Sequence, residues 1–325
     1  MRAVQITRLD GPESVEIVEI DEPQADPALV CVDVHAAGVA FPDALLTRGL
    51  YQYKPDPPFT PGSEIAGVVR SAPEGSGFAS GDRVVGLTGM SGGMAELAYL
   101  SPDLTFALPD AVSLTAGAGI LFNDLTVHFA LTERGRLRKG ETVLVHGAAG
   151  GIGTSTLRLA GLLGAARTIG VVSTEAKAVK AREAGATDVV LVDGWLQQVR
   201  ELTDGRGVDI VLDPVGGHRF TDSIRSLAPS GRVVVIGFTG GGDIPTVKVN
   251  RLLLNNVDVV GAGWGAWFMS HPGYVSQQWA QLAPLLASGD LSAPEPSVFP
   301  IERAADAIGA LERREALGKV VITLR

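Results

Sequence analysis

The second half of the chain alternates between two hydrophobic patterns. Six short runs are continuously apolar and rich in β-branched residues, as buried strands are: Thr142–His146, Arg167–Ser173, Asp188–Val192, Val208–Asp213, Arg232–Gly237 and Val257–Gly261. Between them, apolar residues recur every three or four positions, which predicts helices at Thr154–Gly164, Glu175–Ala184, Trp195–Leu202 and His218–Leu227. Strands that alternate with helices form a parallel sheet covered on both faces. The pattern therefore predicts an α/β domain with a six-stranded, doubly wound (Rossmann) parallel sheet.

The first part of the chain has a different pattern, in which apolar and polar residues alternate between Gly, Pro and Asp turns. These runs predict the strands of a β-rich, partly barrel-like domain: Met1–Leu9, Val15–Ile20, Leu29–Gly38, Glu64–Arg70, Arg83–Leu87 and Met94–Tyr99. At the other end of the chain, helical patterns at Tyr274–Ser288 and Arg303–Arg313 lead to a last strand, Lys319–Leu324. Because a lone strand needs a sheet to join, we expect this tail to fold back onto the N-terminal domain.

This arrangement makes the parallel-sheet domain an insertion into the β-rich domain. We predict one domain from residues 1–122 plus 266–325 and a second from residues 123–265. Pockets that bind small molecules are common between domains, so we expect the active site in the cleft there.

The stretch Val143–Gly153, VLVHGAAGGIG, ends an apolar run in a glycine-rich turn that opens into a helical pattern. In such a unit, Gly150 allows the backbone to approach a pyrophosphate and Gly153 allows close packing of the helix. The N–H groups at the helix N-terminus then bind the anion without a basic side chain. A chain with 41 glycines in 325 residues produces such spacings by chance, but here the surrounding strands and helices predict a dinucleotide site.

The end of the second parallel strand indicates which dinucleotide binds. Proteins selective for NAD place Asp or Glu about 20 residues after the glycines, on the ribose hydroxyls, and this chain has Val172 there. Ser173, Thr174 and Lys177 can instead supply hydrogen bonds and one positive charge to a 2′-phosphate. We therefore predict NADPH as the cofactor. A solvated position on a helix face explains Lys177 equally well, and Glu175 lowers the positive field.

Composition excludes several classes of protein. A net charge of −9 and a pI near 5.1 oppose nucleic-acid binding, which depends on neutralising phosphates. The chain has no apolar run of about 18 residues and no N-terminal signal pattern, so we expect no membrane association. The single cysteine, Cys31, excludes an internal disulfide and suits a reducing cytosol, so we expect a cytoplasmic location.

Several segments together resemble a known superfamily. They are PFTPGSEIAGVV (Pro58–Val69), the glycine turn, AREAGATDVV (Ala181–Val190), VLDPVGG (Val211–Gly217) and GRVVVIGF (Gly231–Phe238). Behind a β-rich N-terminal domain, this order is similar to the medium-chain dehydrogenases/reductases, and within them to the zinc-independent, zeta-crystallin-like quinone oxidoreductases. The resemblance covers essentially the whole chain. It implies a GroES-like first domain and reduction of a small-molecule acceptor by NADPH.

The resemblance also raises the question of zinc, which the alcohol dehydrogenases of the superfamily use. Those relatives carry Gly-His-Glu where this chain has Gly62-Ser63-Glu64, and their structural site needs four cysteines. The five histidines are scattered, whereas a catalytic zinc needs three protein ligands. We therefore predict no metal. An acceptor that is already electrophilic, a quinone or an enone, is then favoured, because its reduction needs only an oriented hydride donor and a proton.

Family positions supply three candidate catalytic residues. Tyr51 matches a tyrosine that relatives place beside the substrate, where it can hydrogen-bond a developing oxyanion. A role as an amphipathic wall residue fits Tyr51 equally well. Asn123 and Thr126 match positions near the nicotinamide ring and stand at the start of a helix predicted over Leu125–Thr132. For Asn123, capping of that helix is the alternative.

Two positions depart from many relatives. Ala40 stands where they have Asn, so no amide role is expected there. Asp124 stands where they have an uncharged residue, and it would disfavour anionic acceptors such as acyl-CoA if it faced the cleft. Cofactor contacts are predicted in the glycine turn, at the 2′-phosphate position and in later loops: Ala148, Gly150, Gly151, Ile152, Gly153, Ser173, Lys177, Ile236, Gly237, Phe238, Trp264 and Lys319.

A formal match to the hydrolase motif G-x-S-x-G occurs at Gly89–Gly93, GMSGG. A nucleophile elbow needs a helix directly after the serine. The residues Met94–Tyr99 continue instead as a strand pattern, and no Asp or His partner stands in a recognisable context. We therefore interpret the motif as a turn between strands.

Three functions stay open. The leading one is NADPH-dependent reduction of a quinone or a related conjugated carbonyl. On the same fold the acceptor can instead be an enoyl thioester or a 2-alkenal, and a non-catalytic NADPH-binding sensor or structural protein is the third possibility. Because the sixth parallel strand would leave an exposed apolar edge, we also predict a homodimer that pairs along this edge, as the relatives do.

Overall fold

The computed structural model describes all residues, Met1–Arg325, in two compact units. The first unit contains Met1–Phe122 and Pro272–Arg325, and the second contains Asn123–His271. Sequence analysis placed the second division between residues 265 and 266. That point lies inside a helix, Trp264–Ser270, and the second unit ends just after this helix.

The first unit begins with seven strands and two short helices: β1 (Arg2–Ile6), β2 (Val15–Glu19), β3 (Val30–Val39), α1 (Phe41–Thr47), β4 (Glu64–Ser71), β5 (Arg83–Leu87), β6 (Leu97–Leu100), β7 (Thr105–Ala107) and α2 (Leu114–Gly117). The helix α3 (Leu121–Phe129), which continues as a π-helical turn over Ala130–Arg134, leads into the second unit.

The second unit alternates strands and helices: β8 (Thr142–His146), α4 (Gly151–Ala160), β9 (Arg167–Val172), α5 (Glu175–Glu183), β10 (Asp188–Leu191), α6 (Trp195–Leu202), β11 (Val208–Asp213), α7 (Phe220–Arg225), β12 (Leu227–Val235), α8 (Asn250–Asn255), β13 (Asp258–Gly261) and α9 (Trp264–Ser270). The chain then returns to the first unit with α10 (Tyr274–Ser288), β14 (Ser297–Pro300), α11 (Ala304–Glu312) and β15 (Val320–Thr323). The longest helix, α10, has 15 residues, and none of the helices combines the length and apolar character needed to cross a membrane.

One mixed sheet organises the first unit. Its strand order is β14-β15-β3-β4-β5-β7, with β6 also paired to β3, while β1 and β2 form a separate hairpin. The last strand, β15, pairs antiparallel with β3, so that Val320 lies opposite Val39. This confirms that the C-terminal tail joins the sheet of the N-terminal domain. The apolar faces of these strands enclose one core, to which Val32, Ile65 and Ile322 belong.

The second unit contains the predicted six-stranded parallel sheet, in the order β10-β9-β8-β11-β12-β13. β8 lies between β9 and β11, so the strand order reverses at β8. Doubly wound folds bind ligands at the carboxyl end of such a strand. The side chains of β8 and β11 are almost all buried because these strands are central. Their sequences are therefore mainly apolar, and their bounds were predicted correctly.

Two helices begin earlier than their sequence pattern predicted. α3 begins at Leu121, so Asn123 and Asp124 lie inside its first turn rather than before it. α4 begins at Gly151 and not at Thr154. Glycine has a low intrinsic helix propensity, and here the glycine turn nevertheless forms the first turn of the helix.

Other differences concern short elements. The helix predicted over His218–Leu227 is a 3-10 turn, Gly217–Arg219, followed by the short α7, because β12 already begins at Leu227. The hydrophobic pattern predicted no strand at β7 or β14 and no helix at α1, α2, α8 or α9. Elements of three to seven residues repeat a pattern too few times to be detected from periodicity.

Candidate functional site

The glycine turn after β8 forms the N-terminus of α4. Gly150 is the N-cap residue, has an extended backbone and offers no side chain to cap the helix. The first helical hydrogen bond runs from Thr154 N to Gly150 O over 2.8 Å. The N–H groups of Gly151, Ile152 and Gly153 therefore have no hydrogen-bond acceptor within the helix. Such a helix end binds an anion through backbone N–H groups and the helix dipole.

Two glycines of the turn have different steric surroundings. A Cβ atom at Gly153 would lie 2.3 Å from the carbonyl oxygen of Gly147 and 2.5 Å from Cα of the buried Ala148, so the helix packs too closely here for any side chain. A Cβ atom at Gly150 would meet only the Gly147 oxygen, at 3.4 Å. The protein thus leaves the space over Gly150 open, as the close approach of a pyrophosphate requires.

Asn123 lies beside the same end of α4. Because it is the third residue of α3, the alternative that it caps this helix is wrong. Asn123 is only 7% exposed, and a Cβ atom at Gly151 would lie 2.3 Å from its Nδ2. The amide makes no hydrogen bond within the protein. A buried amide is therefore available next to the free N–H groups of α4, and Thr126, one turn later in α3, is buried as well.

Asp124 is fully buried within the second unit. Its Oδ1 accepts a hydrogen bond from Ser155 Oγ at 2.5 Å and forms an ion pair with Arg158 at 2.5 Å. The arginine, which is also buried, compensates the carboxylate charge. Asp124 was expected to disfavour anionic acceptors only if its carboxylate faced the cleft. Because the carboxylate is buried and paired with Arg158, it gives no reason to disfavour such acceptors.

Three polar residues meet at the end of β9. Thr174 is the N-cap of α5, and its hydroxyl accepts a hydrogen bond from Lys177 N at 3.3 Å. The Lys177 ammonium donates to Ser173 Oγ at 3.3 Å, while Val172 is buried and Glu175 is exposed. The side chain of Lys177 therefore reaches back to the strand end. Two hydroxyls, one ammonium and a helix N-terminus suit a phosphate group.

The remaining predicted contacts of the second unit lie after β12 and β13. Ile236–Phe238 directly follow β12, at the same carboxyl edge of the sheet as the glycine turn, and Phe238 is half exposed. Trp264 begins α9, is buried and packs against Phe268 with ring centroids 4.8 Å apart. The exposed backbone after β12 is accessible to a ligand, whereas Trp264 contributes to packing.

In the first unit, the buried Asp43 of α1 links this helix to the backbone around it. The sequence pattern did not indicate this residue. Its two carboxylate oxygens accept hydrogen bonds from Ala40 N at 2.8 Å and Gly62 N at 3.1 Å. Burial of the carboxyl group, only partly offset by these hydrogen bonds and by Lys319, raises the pKa of Asp43 to about 6. Tyr51, shortly after α1, is partly exposed and packs against the core, so it fits both roles considered for it.

Lys319, predicted as a cofactor contact, has a carboxylate partner inside the first unit. Its Nζ lies 2.5 Å from Glu64 Oε1, and both side chains are almost completely buried. The other oxygen of Glu64 accepts a hydrogen bond from Phe122 N at 2.9 Å, near the start of α3. The ion pair thus compensates the charge of Lys319 and joins the first residue of β4 to the residue before β15, and Glu64 also binds Phe122. Contact of Lys319 with a cofactor stays a prediction.

The residues around Glu64 do not fit a zinc ion. Ser63 stands where a histidine ligand would be required, Glu64 is engaged by Lys319 and Phe122, and the oxygens of Asp43 accept backbone N–H groups. No three His, Cys, Asp or Glu side chains converge anywhere in the chain. A tetrahedral metal site requires such a set, and the residues at this position do not provide it.

Ser91 and Ser223 could each suggest a hydrolase, but neither has the neighbours that activate a serine nucleophile. Ser91 lies in a turn between Gly89 and Gly92, both with positive φ, and the next element is the strand β6 rather than a helix. Ser223 Oγ lies 2.9 Å from His146 Nε2, but both residues are buried in the second unit. Burial also lowers the pKa of His146 to about 4, so this imidazole is neutral at pH 7 and is part of the buried interior.

Two family models match the chain. The alcohol dehydrogenase GroES-like domain matches residues 26–110, and the zinc-binding dehydrogenase model matches residues 151–288. The second match begins at Gly151, near the end of the glycine turn, and covers β9 to β13 of the parallel sheet, and it does not include residues 62–64, where a zinc ligand would lie. The match therefore reports the nucleotide-binding fold rather than a metal.

Individual relatives extend over the whole chain. Quinone oxidoreductase-like protein 2 of Rattus norvegicus is 35% identical over 327 residues, which cover 100% of this chain and 92% of that protein. A solved structure of a probable oxidoreductase from Mycobacterium abscessus is 41% identical, with a TM-score of 0.90 and coverage of 100% and 99%. The quinone oxidoreductase of Thermus thermophilus, solved alone and with NADPH, is 31% identical, with a TM-score of 0.84 and full coverage of both chains. This chain therefore belongs to the medium-chain dehydrogenase/reductase superfamily, in its zinc-independent quinone oxidoreductase branch.

Proposed function

We propose that the protein is an NADPH-dependent reductase that transfers a hydride to a quinone or a related conjugated carbonyl. The observation that carries this proposal is the pair of anion-binding positions at the carboxyl edge of the parallel sheet. One is the uncapped N-terminus of α4, and the other is the cluster of Ser173, Thr174 and Lys177. They follow neighbouring strands, β8 and β9, and NADPH carries a diphosphate and a separate 2′-phosphate.

The glycine turn fits the diphosphate. The amides of Gly151, Ile152 and Gly153 have no helical acceptor, and the space over Gly150 is open. The Asn123 amide adds a further donor beside Gly151. We therefore assign Asn123 to holding the cofactor, rather than to contacting the acceptor directly.

The residues after β9 fit the 2′-phosphate. The hydroxyls of Ser173 and Thr174 and the ammonium of Lys177 offer donors on one side of the strand end, and the buried Val172 contributes no carboxylate to repel a phosphate. A charge-assisted hydrogen bond is about twice as strong as a neutral one. Lys177 therefore supplies the largest part of any preference for NADPH over NADH.

When bound, NADPH supplies the hydride, and the protein orients the reactants and stabilises charge. The proposed acceptor-side donor is the Tyr51 hydroxyl, which can hydrogen-bond the oxygen on which negative charge develops. Thr126 is proposed to orient the nicotinamide end, and water or a hydroxyl delivers the proton that completes the reduction. Since the residues at Glu64 do not fit zinc, an acceptor that needs no Lewis acid is favoured.

A steady-state screen tests the proposal and its alternatives. Loss of absorbance at 340 nm should depend on a small ortho- or para-quinone and be faster with NADPH than with NADH. Faster turnover of crotonyl-CoA or 2-alkenals than of quinones would favour the enoyl-thioester or 2-alkenal reductase. Stoichiometric NADPH binding without turnover of any acceptor would indicate the sensor or structural protein, and Ser91-dependent ester hydrolysis without NADPH would contradict the assignment as a reductase.

We also propose a homodimer formed along the edge of the parallel sheet. β13 is the edge strand, and its outer backbone groups have no strand partner within the chain. The elements on either side of β13 expose large apolar side chains: Val249, Leu253, Leu254 and Met269. An exposed apolar edge is a liability unless it is paired, and a second copy offers a matching edge. Sedimentation at micromolar concentration should give a dimer, and a stable monomer would exclude this assembly.

A further inference from the structure

The second unit contains a cavity of about 530 Å³ that the predicted site does not include. It opens between the start of α6 and the 3-10 turn Gly217–Arg219 that precedes α7. Its walls combine apolar side chains with charges of both signs: Val192, Asp193, Gly194, Trp195, Leu196, Gln197, Arg200, His218, Arg219 and Asp222.

The cavity wall includes the residues that follow β10, the strand next to β9. β10 runs parallel to β9 with Leu191 opposite Val172, and Val192 N donates a hydrogen bond to Val172 O at 2.8 Å. Ser173 is the first residue after β9, and Val192 and Asp193 are the first two residues after β10. Asp193 in the cavity wall is therefore a neighbour of the residues proposed to bind the phosphate, although the two segments are separate in sequence.

The two carboxylates of the cavity differ in their partners. Asp222 forms an ion pair with Arg225 at 2.9 Å. Asp193 is exposed and forms no ion pair, and only its main-chain oxygen accepts a hydrogen bond, from Gln198 Nε2 at 3.0 Å. A carboxylate without an ion-pair partner therefore follows the end of β10, although Arg200 and Arg219 line the same cavity.

We infer that Asp193 is a specificity-determining residue that opposes the 2′-phosphate of NADPH and limits how far the site prefers NADPH over NADH. This inference rests on the proposed function, because it assumes that the dinucleotide binds at the carboxyl edge of the sheet. It assigns to Asp193 a role opposite to that of Lys177, with the two residues acting on the same group of the cofactor.

The physical reason is the difference in charge between the two cofactors. A phosphate monoester carries about −1.5 to −2 charges at pH 7, whereas NADH has a neutral hydroxyl at the same position. Repulsion by Asp193 therefore weakens the binding of NADPH only, and its carboxylate can accept a hydrogen bond from the hydroxyl of NADH. Across several ångströms of water, one such charge changes the dissociation constant roughly threefold to tenfold.

Equilibrium binding of both cofactors to the full chain tests the inference without any acceptor. In Asp193→Asn, titration calorimetry at about 0.01 M salt should show NADPH binding roughly threefold to tenfold more tightly, with NADH unchanged or weaker. At about 1 M salt, where the screening length is about 3 Å, most of this gain should disappear. Asp193→Lys should give a larger gain than Asp193→Asn.

Asp204→Asn is a matched control. Asp204 is exposed, lies in the turn before β11 at the opposite edge of the sheet, and has a positive φ that Asn tolerates. This variant removes the same charge and should leave both dissociation constants unchanged. An unchanged ratio of NADPH to NADH affinity in Asp193→Asn, or an equal change in Asp204→Asn, would overturn the inference. Failure of the unmodified protein to bind either cofactor would instead overturn the proposed function.

Discussion

The buried charged residues of the first unit differ from the polar groups at the sheet edge of the second unit in whether they have partners. In the first unit, Asp43, Glu64 and Lys319 are buried, and their charged groups accept backbone N–H groups or pair with each other. In the second unit, the amides that begin α4 lack acceptors, and Ser173 is exposed at the sheet edge. Buried polar groups that are fully satisfied position the backbone, whereas groups left open at a sheet edge are available to a ligand. The same difference predicts which substitutions affect folding and which affect binding.

The largest effect is expected at the buried ion pair. Lys319→Met keeps the aliphatic stem and leaves the carboxylate of Glu64 without its cation, which should lower the free energy of unfolding by about 3–5 kcal/mol. Urea unfolding measures this change. Arg313→Met, which breaks an exposed pair with Glu315, should have a much smaller effect. Equal stability of the two variants would contradict a structural role for the buried pair.

Substitution of two glycines in the same turn should distinguish effects on folding from effects on cofactor binding. Gly153→Ala forces a methyl group against the backbone oxygen of Gly147 and should destabilise the protein by about 1–3 kcal/mol. Gly150→Ala introduces the same methyl group into open space, in a backbone conformation that alanine adopts, so stability should change little. Its NADPH dissociation constant should nevertheless rise at least about tenfold, because the methyl group occupies the path of the diphosphate. Normal NADPH binding by Gly150→Ala would exclude the turn as the diphosphate site.

The pH dependence of stability tests the burial of Asp43. Its pKa is about 6 in the folded protein, against 3.8 for the unperturbed group. Because the folded state keeps a proton that the unfolded state has already released, this group makes stability fall as pH rises from about 4 to about 6. Relative to Asp43→Asn, the unmodified protein should therefore gain roughly 1–3 kcal/mol on acidification from pH 7 to pH 4. Urea unfolding of both proteins at pH 7 and pH 4 measures this gain. If the difference in the free energy of unfolding between the two proteins were the same at both pH values, the prediction would be wrong.

The smallest effect is expected at the 2′-phosphate position. Lys177→Met should weaken NADPH binding roughly tenfold and leave NADH binding unchanged, because one charge-assisted contact is lost. Lys180→Met is the control on the same helix, since Lys180 pairs with Glu183 at 3.7 Å. Titration calorimetry with both cofactors compares the two variants. An equal loss of NADH affinity in Lys177→Met would indicate that the lysine acts on packing rather than on the phosphate.

Much of the second unit could be predicted from the sequence. β8 and β11 were predicted with the observed bounds because both are central, buried strands that are rich in apolar residues. The glycine turn was recognised because its spacing follows a strand and precedes a helix. The start of α4 was placed too late, since glycines count against a helix in a propensity argument even where they form its first turn.

Partners of charged side chains could not be predicted in the same way. Asp124 was considered as a residue facing the cleft, but α4 supplies Ser155 and Arg158 as its partners. Lys319 was assigned to the cofactor, and the return of the C-terminal strand brings it to Glu64. Such pairs join segments that are far apart in the chain, and periodicity contains no information about them.

The residue pattern alone established the fold class, the insertion of one domain into the other and the position of the dinucleotide turn, because these follow from local periodicity and from the steric properties of glycine. The folded chain established which polar groups are satisfied and which are open, because that depends on strand register and packing. Asp193 illustrates the difference. Its sequence neighbours give no indication of a role, and only the pairing of β10 with β9 brings the strand end that leads to Asp193 next to the strand end that leads to Ser173.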